Sequence, residues 1–351
     1  MDTLTHALSG ALLARATAPR AGGSGVLSPR ARVAAGFLSC AFPDLDIVAA
    51  LGGTVEYLSL HRGVTHSVLL APLWAWLLAW LLSKLAGDAR GWKPWFGACL
   101  LGLYTHIAGD VITSFGTMVF APLSDWRAAL GTTFIIDPWF TGIIVAGLAV
   151  SYFLPHSRVP AVAASVVLAG YIGMQAVLKH QAEQFGKRYA AAAHLRGAQV
   201  EAQPRPVSPF NWTVFVSDAS AHHFAHINLV RTEVRPAHAD DGLIAQLDRA
   251  YRPLADAHWE SRARFGVDPA VAKLARDAWA SPALAFFRWF ADKPAFDGVT
   301  SGSTCVWFVD LRFDSPGRGS TPFRFGACRD APSAPWRPYR RIGEAGRASL
   351  D

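Results

Sequence analysis

Long apolar runs dominate the first half of the chain. A helix needs about 20 consecutive apolar residues to cross a bilayer. Four runs approach or reach this length: Val64 to Ser83, Trp95 to Phe115, Ile136 to Leu154 and Val159 to Leu178. Two weaker runs precede them, Thr3 to Pro19 and Val33 to Leu51. The second weaker run is interrupted by Pro43 and two carboxylates, so the pattern predicts a polytopic helical domain with four to six spans.

The pattern changes after about residue 204, where shorter, aromatic-rich segments alternate apolar and polar positions, as strands do. The predicted strands are Trp212 to Ser217, His223 to Val234, Thr304 to Phe313 and Phe323 to Cys328. Helical patterns lie between them at Asp241 to Tyr251, Pro269 to Trp279 and Pro282 to Ala291. We therefore expect a mainly α protein. Its membrane domain covers residues 1–178, a linker with Pro204 and Pro206 covers 179–207, and a soluble α+β domain covers 208–351.

Composition supports this division. The 351 residues are 52% hydrophobic and only 17% charged, against about 25% charged in an ordinary soluble domain. Residues 1–178 hold 10 Lys and Arg and 8 Asp and Glu, whereas the remaining 173 residues hold 23 and 18. These figures exclude a disordered or fibrous chain. The net charge of +7 is spread along the chain, so no nucleic-acid partner is predicted.

Loop charges predict an orientation, because positive residues concentrate in cytoplasmic loops. With six spans, eight Lys and Arg residues fall in the loops on one side, and only Arg62 and Arg127 in those on the other. We expect both termini, and with them the C-terminal domain, outside the cytoplasm. The basic residues that follow the last span point the other way: Lys179, Lys187, Arg188 and Arg196.

Ionisable residues inside apolar spans are costly, so each one is a candidate for function. The first half holds eight of them: His6, Asp44, Asp46, His61, His66, His106, Asp110 and Asp137. His106 and Asp110 lie four residues apart, on one face of a predicted helix. Imidazole and carboxylate groups are the ligands of zinc and manganese. All eight residues are therefore candidate ligands for one or two divalent ions, zinc first and manganese as the alternative.

Each candidate also has a purely structural interpretation. Asp44, Asp46 and Asp137 are suited to cap helices. His106 and Asp110 are suited to form a buried hydrogen-bonded pair. Arg62 is placed either to clamp a phosphate or to extend towards the membrane surface.

The ordered motifs resemble a known family. They are Asp2-x-x-Thr-His6, Phe-Pro-Asp44-x-Asp46, His61-Arg-x-x-Thr-His66-Ser, His106-x-x-x-Asp110 and Asp137-Pro138. Over about residues 1–178 the chain resembles the membrane-bound metal-dependent hydrolases, also described as LexA-binding, inner-membrane-associated hydrolases. It is more distantly similar to zinc-dependent phospholipase C. The resemblance implies a bacterial inner-membrane location and a phosphoesterase in which His61 or His66, with His106 and Asp110, binds metal and Asp44 or Asp46 bridges or binds.

The residues and the resemblance together predict hydrolysis of a phosphoester on an amphiphilic, membrane-resident substrate by a metal-activated water. Catalytic roles are assigned to Asp46, Arg62 and His66. Two alternatives remain open, namely a membrane scaffold or regulator with a structural metal, and a metal or proton transporter.

The C-terminal domain is assigned no chemistry and no identified protein partner. Cys305 and Cys328 lie on its last two predicted strands and are expected to form a disulfide in an oxidising compartment. His222, His223 and His226 are close together in the sequence, as metal ligands can be. His222 and His223, however, point to opposite faces of a strand, so we expect surface histidines rather than a metal site there.

Overall fold

The computed structural model describes residues 1–19, 25–238, 240–300, 304–316, 321–343 and 346–350. These residues form two compact units, which are described separately. The first unit comprises residues 1–52 and 60–177, and the second comprises residues 53–59 and 178–351.

The first unit is helical. Its α-helices are α1 (Thr3–Ala16), α2 (Pro29–Ala41), α4 (Ala71–Leu85), α5 (Lys93–Val111), α6 (Pro138–Phe153) and the first part of α7 (Val159–Ala192). The short helix α3 (Thr54–Leu60) lies between α2 and α4 in the chain. Two 3₁₀ segments, Phe42–Gly52 and Val64–His66, interrupt the α-helices.

Side-chain caps start several of these helices. The Asp2 carboxylate accepts the Thr5 N–H at the start of α1, and Ser28 accepts the Ala31 N–H at the start of α2. Pro29 and Pro138 occupy first-turn positions of α2 and α6, where a missing N–H costs nothing. Pro43 follows the end of α2, where the chain passes into a 3₁₀ segment that carries Asp44 and Asp46.

Small residues bring α1, α2 and α5 into close contact. A Cβ on Gly10 of α1 would lie 2.2 Å from the Gly36 carbonyl oxygen of α2. A Cβ on Gly102 of α5 would lie 2.1 Å from Ser39 Oγ. Membrane helices associate through such small residues, because they allow the backbones to approach. This close packing holds α2 and its 3₁₀ extension against α5.

In the part of the chain that the structure describes, two helical segments are long and apolar enough to cross a membrane: Pro29–Gly52 and Val159–Ala192. A third candidate is the pair Thr54–His66 and Ala71–Leu85, which is bent by 79°. The expected run from Val64 to Ser83 is broken because its first residues form the turn before α4. Thr3–Ala16 and Pro138–Phe153 have 14 and 16 residues, so both are shorter than a full bilayer crossing of about 20 residues.

The second unit contains two antiparallel sheets. The first has the order β1-β2-β3-β4, formed by Gln199–Pro204, Asn211–Ser217, Ala221–Asn228 and Trp259–Ala263. The second has the order β5-β6-β7-β8-β9, formed by Pro294–Thr300, Thr304–Asp310, Arg324–Arg329, Arg337–Ile342 and Gly346–Ser349. The helices of this unit are α8 (Leu243–Arg249), α9 (Pro269–Ala280) and α10 (Ala285–Phe290). An α+β unit is therefore present, as expected.

The segment expected to be a linker has regular structure. Residues up to Ala192 continue α7, and β1 begins at Gln199. Leu178 and Ala182 of α7 pack with Trp212 and Val214 of β2 in one apolar core. Apolar positions of this helix continue beyond the membrane-length run, which explains why the segment folds with the sheet.

Two expectations for this unit have different outcomes. Cys305 and Cys328 are directly opposite on β6 and β7 and form the expected disulfide. The expectation that His222 lies on the surface is wrong. Its side chain is buried, with Nδ1 2.7 Å from Ser217 Oγ and Nε2 3.0 Å from the Pro294 carbonyl oxygen. Alternation along the strand separates the faces of His222 and His223, but it does not show that the face of His222 is covered.

Candidate metal centre

Three short segments bring a set of ligand atoms together. The 3₁₀ segment after α2 contributes Asp44, the turn before α4 contributes His66, and α5 contributes His106 and Asp110. The last two lie one helical turn apart, as their spacing predicts. One potential ligand atom from each of the four residues lies within 4.8 Å of the others. We refer to these four residues as the ligand cluster.

The distances within the ligand cluster match those around a small cation. His66 Nε2 lies 2.9 Å from His106 Nε2, 3.2 Å from Asp110 Oδ2 and 3.8 Å from Asp44 Oδ1. His106 Nε2 lies 3.5 Å from Asp110 Oδ2 and 3.6 Å from Asp44 Oδ1. Ligand atoms bound tetrahedrally to zinc at about 2.0–2.1 Å are about 3.3 Å apart. The measured distances fall on both sides of this value.

The other nitrogen of each imidazole has its own partner. His106 Nδ1 lies 2.6 Å from the Cys40 carbonyl oxygen and therefore donates its proton there. His66 Nδ1 lies 2.9 Å from Thr65 Oγ1 and 3.6 Å from Asp46 Oδ2. Partners of this kind fix the tautomer and ring orientation of metal-binding histidines. Both Nε2 atoms consequently face the centre of the cluster.

Two carboxylate oxygens support the fit to a cation. Asp44 Oδ2 and Asp110 Oδ2 are buried and have no hydrogen-bond partner among the described residues. A buried, unsatisfied charged oxygen is costly. A cation in the cluster would remove that cost for Asp110 Oδ2, the oxygen near His66 and His106. The donor set of two imidazoles and two carboxylates is one that zinc and manganese accept.

The second oxygen of Asp110 is held by three nitrogen atoms of the chain. Asp110 Oδ1 lies 2.9 Å from Arg62 Nη2, 2.5 Å from the Met1 amino nitrogen and 3.0 Å from His6 Nε2. These partners leave Oδ2 directed towards His66 and His106. Arg62 is buried and also donates to Thr113 Oγ1. The sequence left two roles open for Arg62, a phosphate clamp and extension towards the membrane surface. The structure pairs its guanidinium with Asp110.

Asp46 lies beside the ligand cluster rather than in it. Its Oδ1 is 2.8 Å from His61 Nδ1, and its Oδ2 accepts the Arg62 N–H at 2.9 Å. Asp46 and His61 are thus paired on the more open side of the site, where 16% of the His61 side chain is exposed. Asp44 is 13% exposed, while the side chains of the other three cluster residues are fully buried. The site therefore opens on the side of Asp44 and His61.

A second group of possible ligands adjoins the first. His6, Cys40 and His106 can also bring ligand atoms within 4.8 Å of one another. The rings of His6 and His106 are stacked, with centroids 3.8 Å apart. The sequence predicts His6 as a ligand, but Cys40 is not among its eight candidate residues. Cys40 precedes Asp44 by four residues, and this spacing was the signal in the sequence for a further possible ligand.

Asp137 has a different environment. It caps α6, with Oδ1 accepting the N–H groups of Trp139 and Phe140. Its Oδ2 accepts the Tyr171 hydroxyl at 2.7 Å. The structure gives this residue the capping role that was the alternative in the sequence, and Asp137 belongs to neither group of possible ligands among the described residues.

Comparisons with known proteins place the helical half of the chain in a family. Residues 1–182 match the model of the family described as YdjM inner membrane protein. A curated relative, the uncharacterized protein YfhP of Bacillus subtilis (strain 168), is 27% identical over 180 residues. That match covers 51% of this chain and 55% of the relative. No solved structure matches the chain significantly. Because the family match extends over more than half of its residues, the chain belongs to the YdjM inner membrane protein family.

Proposed function

We propose that this membrane protein is a metal-dependent hydrolase whose ligand cluster binds a divalent cation, with zinc as the first candidate and manganese as the second. The observation that carries the proposal is the convergence of two Nε2 atoms and two carboxylates at 2.9–3.8 Å. His6, Cys40 and His106 share His106 with the ligand cluster and offer an alternative position for the ion.

The cation would act as a Lewis acid that activates water and polarises a phosphoryl oxygen. The chain's own residues set up this chemistry. Arg62 holds Asp110 in place through Oδ1, and the Cys40 carbonyl holds the His106 ring. We assign Asp46 the role of holding His61 and the Arg62 backbone at the open side.

We propose a phosphoester on an amphiphilic, membrane-resident molecule as substrate. The family is one of inner membrane proteins, so a substrate held in the bilayer is available to it. The site opens beside Asp44 and His61, and a phosphoryl group would enter there. In this proposal His66 contributes as a metal ligand, and Asp46 acts by holding His61 beside that opening. Arg62 acts on this account as a positioning residue.

Hydrolysis of phospholipid and lipid-pyrophosphate substrates by the full chain in mixed micelles tests the proposal. We expect phosphate or phosphomonoester release that requires added Zn²⁺ or Mn²⁺ and is lost in His106→Ala. The matched control is His156→Ala, which removes an exposed histidine of the same unit and should retain activity. Metal-loaded protein that hydrolyses none of these phosphoesters would contradict the proposal.

A second candidate is a membrane scaffold or regulator with a structural metal. A shell of four protein ligands favours it, because catalytic zinc sites usually keep a position open for water. Asp44 distinguishes the two candidates, since it is the only partly exposed member of the cluster. If Asp44→Ala keeps the metal on the three buried ligands, the fourth position is exchangeable, as catalysis requires. Loss of the metal in this variant would favour the scaffold.

We also propose a multi-pass arrangement in which shorter apolar helices add to the candidate spans, giving four to six in total. We propose that the C-terminal unit lies on the extracytoplasmic side. The Cys305–Cys328 disulfide supports that side, because structural disulfides persist in oxidising compartments.

A further inference from the structure

A groove of about 550 Å³ opens at the other end of α1 from the metal centre. It lies where α1 and α6 end and α2 begins. Most of its lining is apolar and includes Val33, Leu148 and Phe153, together with Arg15 and Arg30. This volume is within the range of about 300–1,000 Å³ that is typical of ligand sites.

Four arginines surround this end of the unit without carboxylate partners. Arg15 donates to the carbonyl oxygens of Leu154, Pro155 and Ser157, and Arg32 donates to that of Ala14. Arg158 donates to the Ala18 carbonyl oxygen, and Arg30 is exposed. Within the described residues, none of the four forms an ion pair with Asp or Glu. Neutral carbonyls leave the positive charge uncompensated.

The sequence explains this excess of positive charge. No Asp or Glu occurs from residue 3 to residue 43 or from residue 138 to residue 182. These ranges include α1, which carries Arg15, and α2, which carries Arg30 and Arg32. They also include the connection between α6 and α7, which carries Arg158. In the described residues of these ranges, an anion therefore meets cations and dipoles but no carboxylate.

Exposed aromatic residues place this end near a membrane surface. The side chain of Tyr152 is 80% exposed and that of Phe153 is 77% exposed, both in the last turn of α6. Aromatic residues concentrate at the level of the lipid headgroups, and basic pockets between membrane helices bind anionic headgroups. An apolar groove with an arginine at its edge matches both parts of a phospholipid.

We propose that this groove binds an anionic phospholipid, with an acyl chain along Val33, Leu148 and Phe153 and the phosphate beside Arg30. Arg15 is held by three carbonyl oxygens and contributes positive charge from a fixed position. The site is separate from the metal centre, so its occupancy and the metal content can be measured independently.

Thermal unfolding of the full chain in dodecyl maltoside tests the proposal. Dioleoyl phosphatidylglycerol is titrated against dioleoyl phosphatidylcholine, which has the same acyl chains but no net charge. Arg30→Gln removes the charge at the groove edge, and Val33→Trp fills the groove. The matched control is Lys84→Gln, which removes an exposed cation outside the groove lining. Gel filtration and metal content verify that each variant is folded.

We expect phosphatidylglycerol to raise the unfolding temperature more than phosphatidylcholine does. Arg30→Gln should weaken the apparent affinity for phosphatidylglycerol about fivefold, Val33→Trp should also weaken it, and Lys84→Gln should leave it unchanged. Equal responses to the two lipids would overturn the proposal. Equal losses of affinity for phosphatidylglycerol in Arg30→Gln and Lys84→Gln would also overturn the proposal. An equal rise in the unfolding temperature with glycerol phosphate alone would also overturn the proposal, because the apolar groove would then contribute nothing to binding.

Discussion

Asp46 shows, at the residue scale, how one carboxylate can control the ligands without being among them. It contacts His61 Nδ1 and the Arg62 N–H and lies 3.6 Å from His66 Nδ1. Asp46→Asn keeps the shape but removes the charge that orients these groups. We expect metal affinity to fall about 10- to 100-fold, measured by competition with a chromophoric chelator. Asp125→Asn changes an exposed carboxylate of the same unit and serves as control; equal affinities in the two variants would contradict the role of Asp46.

Residue spacing predicted part of the site. The four-residue interval between His106 and Asp110 placed both on one face of α5, and the structure agrees. The sequence could not decide between Asp44 and Asp46, because that choice depends on how the chain turns after Pro43. It also could not show that Arg62 faces Asp110, since this contact joins residues 48 positions apart through the packing of α5.

At the scale of elements, the centre depends on how closely α2 and α5 pack. Gly102→Ala would place a Cβ 2.1 Å from Ser39 Oγ and 2.9 Å from the Gly36 carbonyl oxygen. We expect it to lower the free energy of unfolding by about 1–3 kcal/mol, measured by denaturation in mixed micelles. Gly97→Ala is the matched control on the same helix, because its Cβ would meet nothing within 4 Å. Equal stability of the two variants would show that close packing of α5 is unimportant.

The strand β3 gives the C-terminal unit a dependence on pH. Burial, with a smaller contribution from Arg264 and Lys293, lowers the pKa of His222 to about 4, below its ordinary value of about 6.5. The unfolded chain therefore binds a proton at higher pH than the folded unit does. Stability should be greatest above pH 6.5 and decrease as the pH falls towards 4.

Chemical unfolding of the second unit at pH 7.5, 6 and 5, followed by tryptophan fluorescence, measures this loss. His222→Gln should reduce the loss between pH 6.5 and 5. It will not abolish the loss, because burial also lowers the pKa of His226, to about 3. A variant with an unchanged pH dependence would contradict the contribution of His222.

Element boundaries were harder to predict than element types. The apolar runs predict the helices of the first half, and alternating apolar and polar positions predict the strands. The same apolar pattern predicts a single span from Val64 to Ser83. The turn that carries His66 interrupts this run. Because apolar side chains occur both in this turn and in the helix that follows, the apolar pattern does not show the break. The predicted linker also folds, because Leu178 and Ala182 continue the apolar face of α7 onto the first sheet.

At the scale of the whole molecule, the disulfide tests the proposed side of the C-terminal unit. We expect Cys305 and Cys328 to be bridged in protein taken from intact cells, while Cys40 and Cys99 remain thiols. Differential alkylation with mass spectrometry, before and after reduction, distinguishes the two pairs under denaturing conditions. Free thiols at Cys305 and Cys328 in freshly isolated protein would contradict the extracytoplasmic placement.

The central claim is that the ligand cluster binds a metal ion. Metal per chain, measured by inductively coupled plasma mass spectrometry on protein purified without chelator, tests it most directly. We expect about one Zn²⁺ or Mn²⁺ ion per chain for a single four-ligand site. His66→Ala and His106→Ala should lose the ion, whereas His156→Ala and Asp137→Asn should keep it. Wild-type protein that stays free of metal after supplementation, or His66→Ala and His106→Ala variants that retain the ion, would contradict the claim.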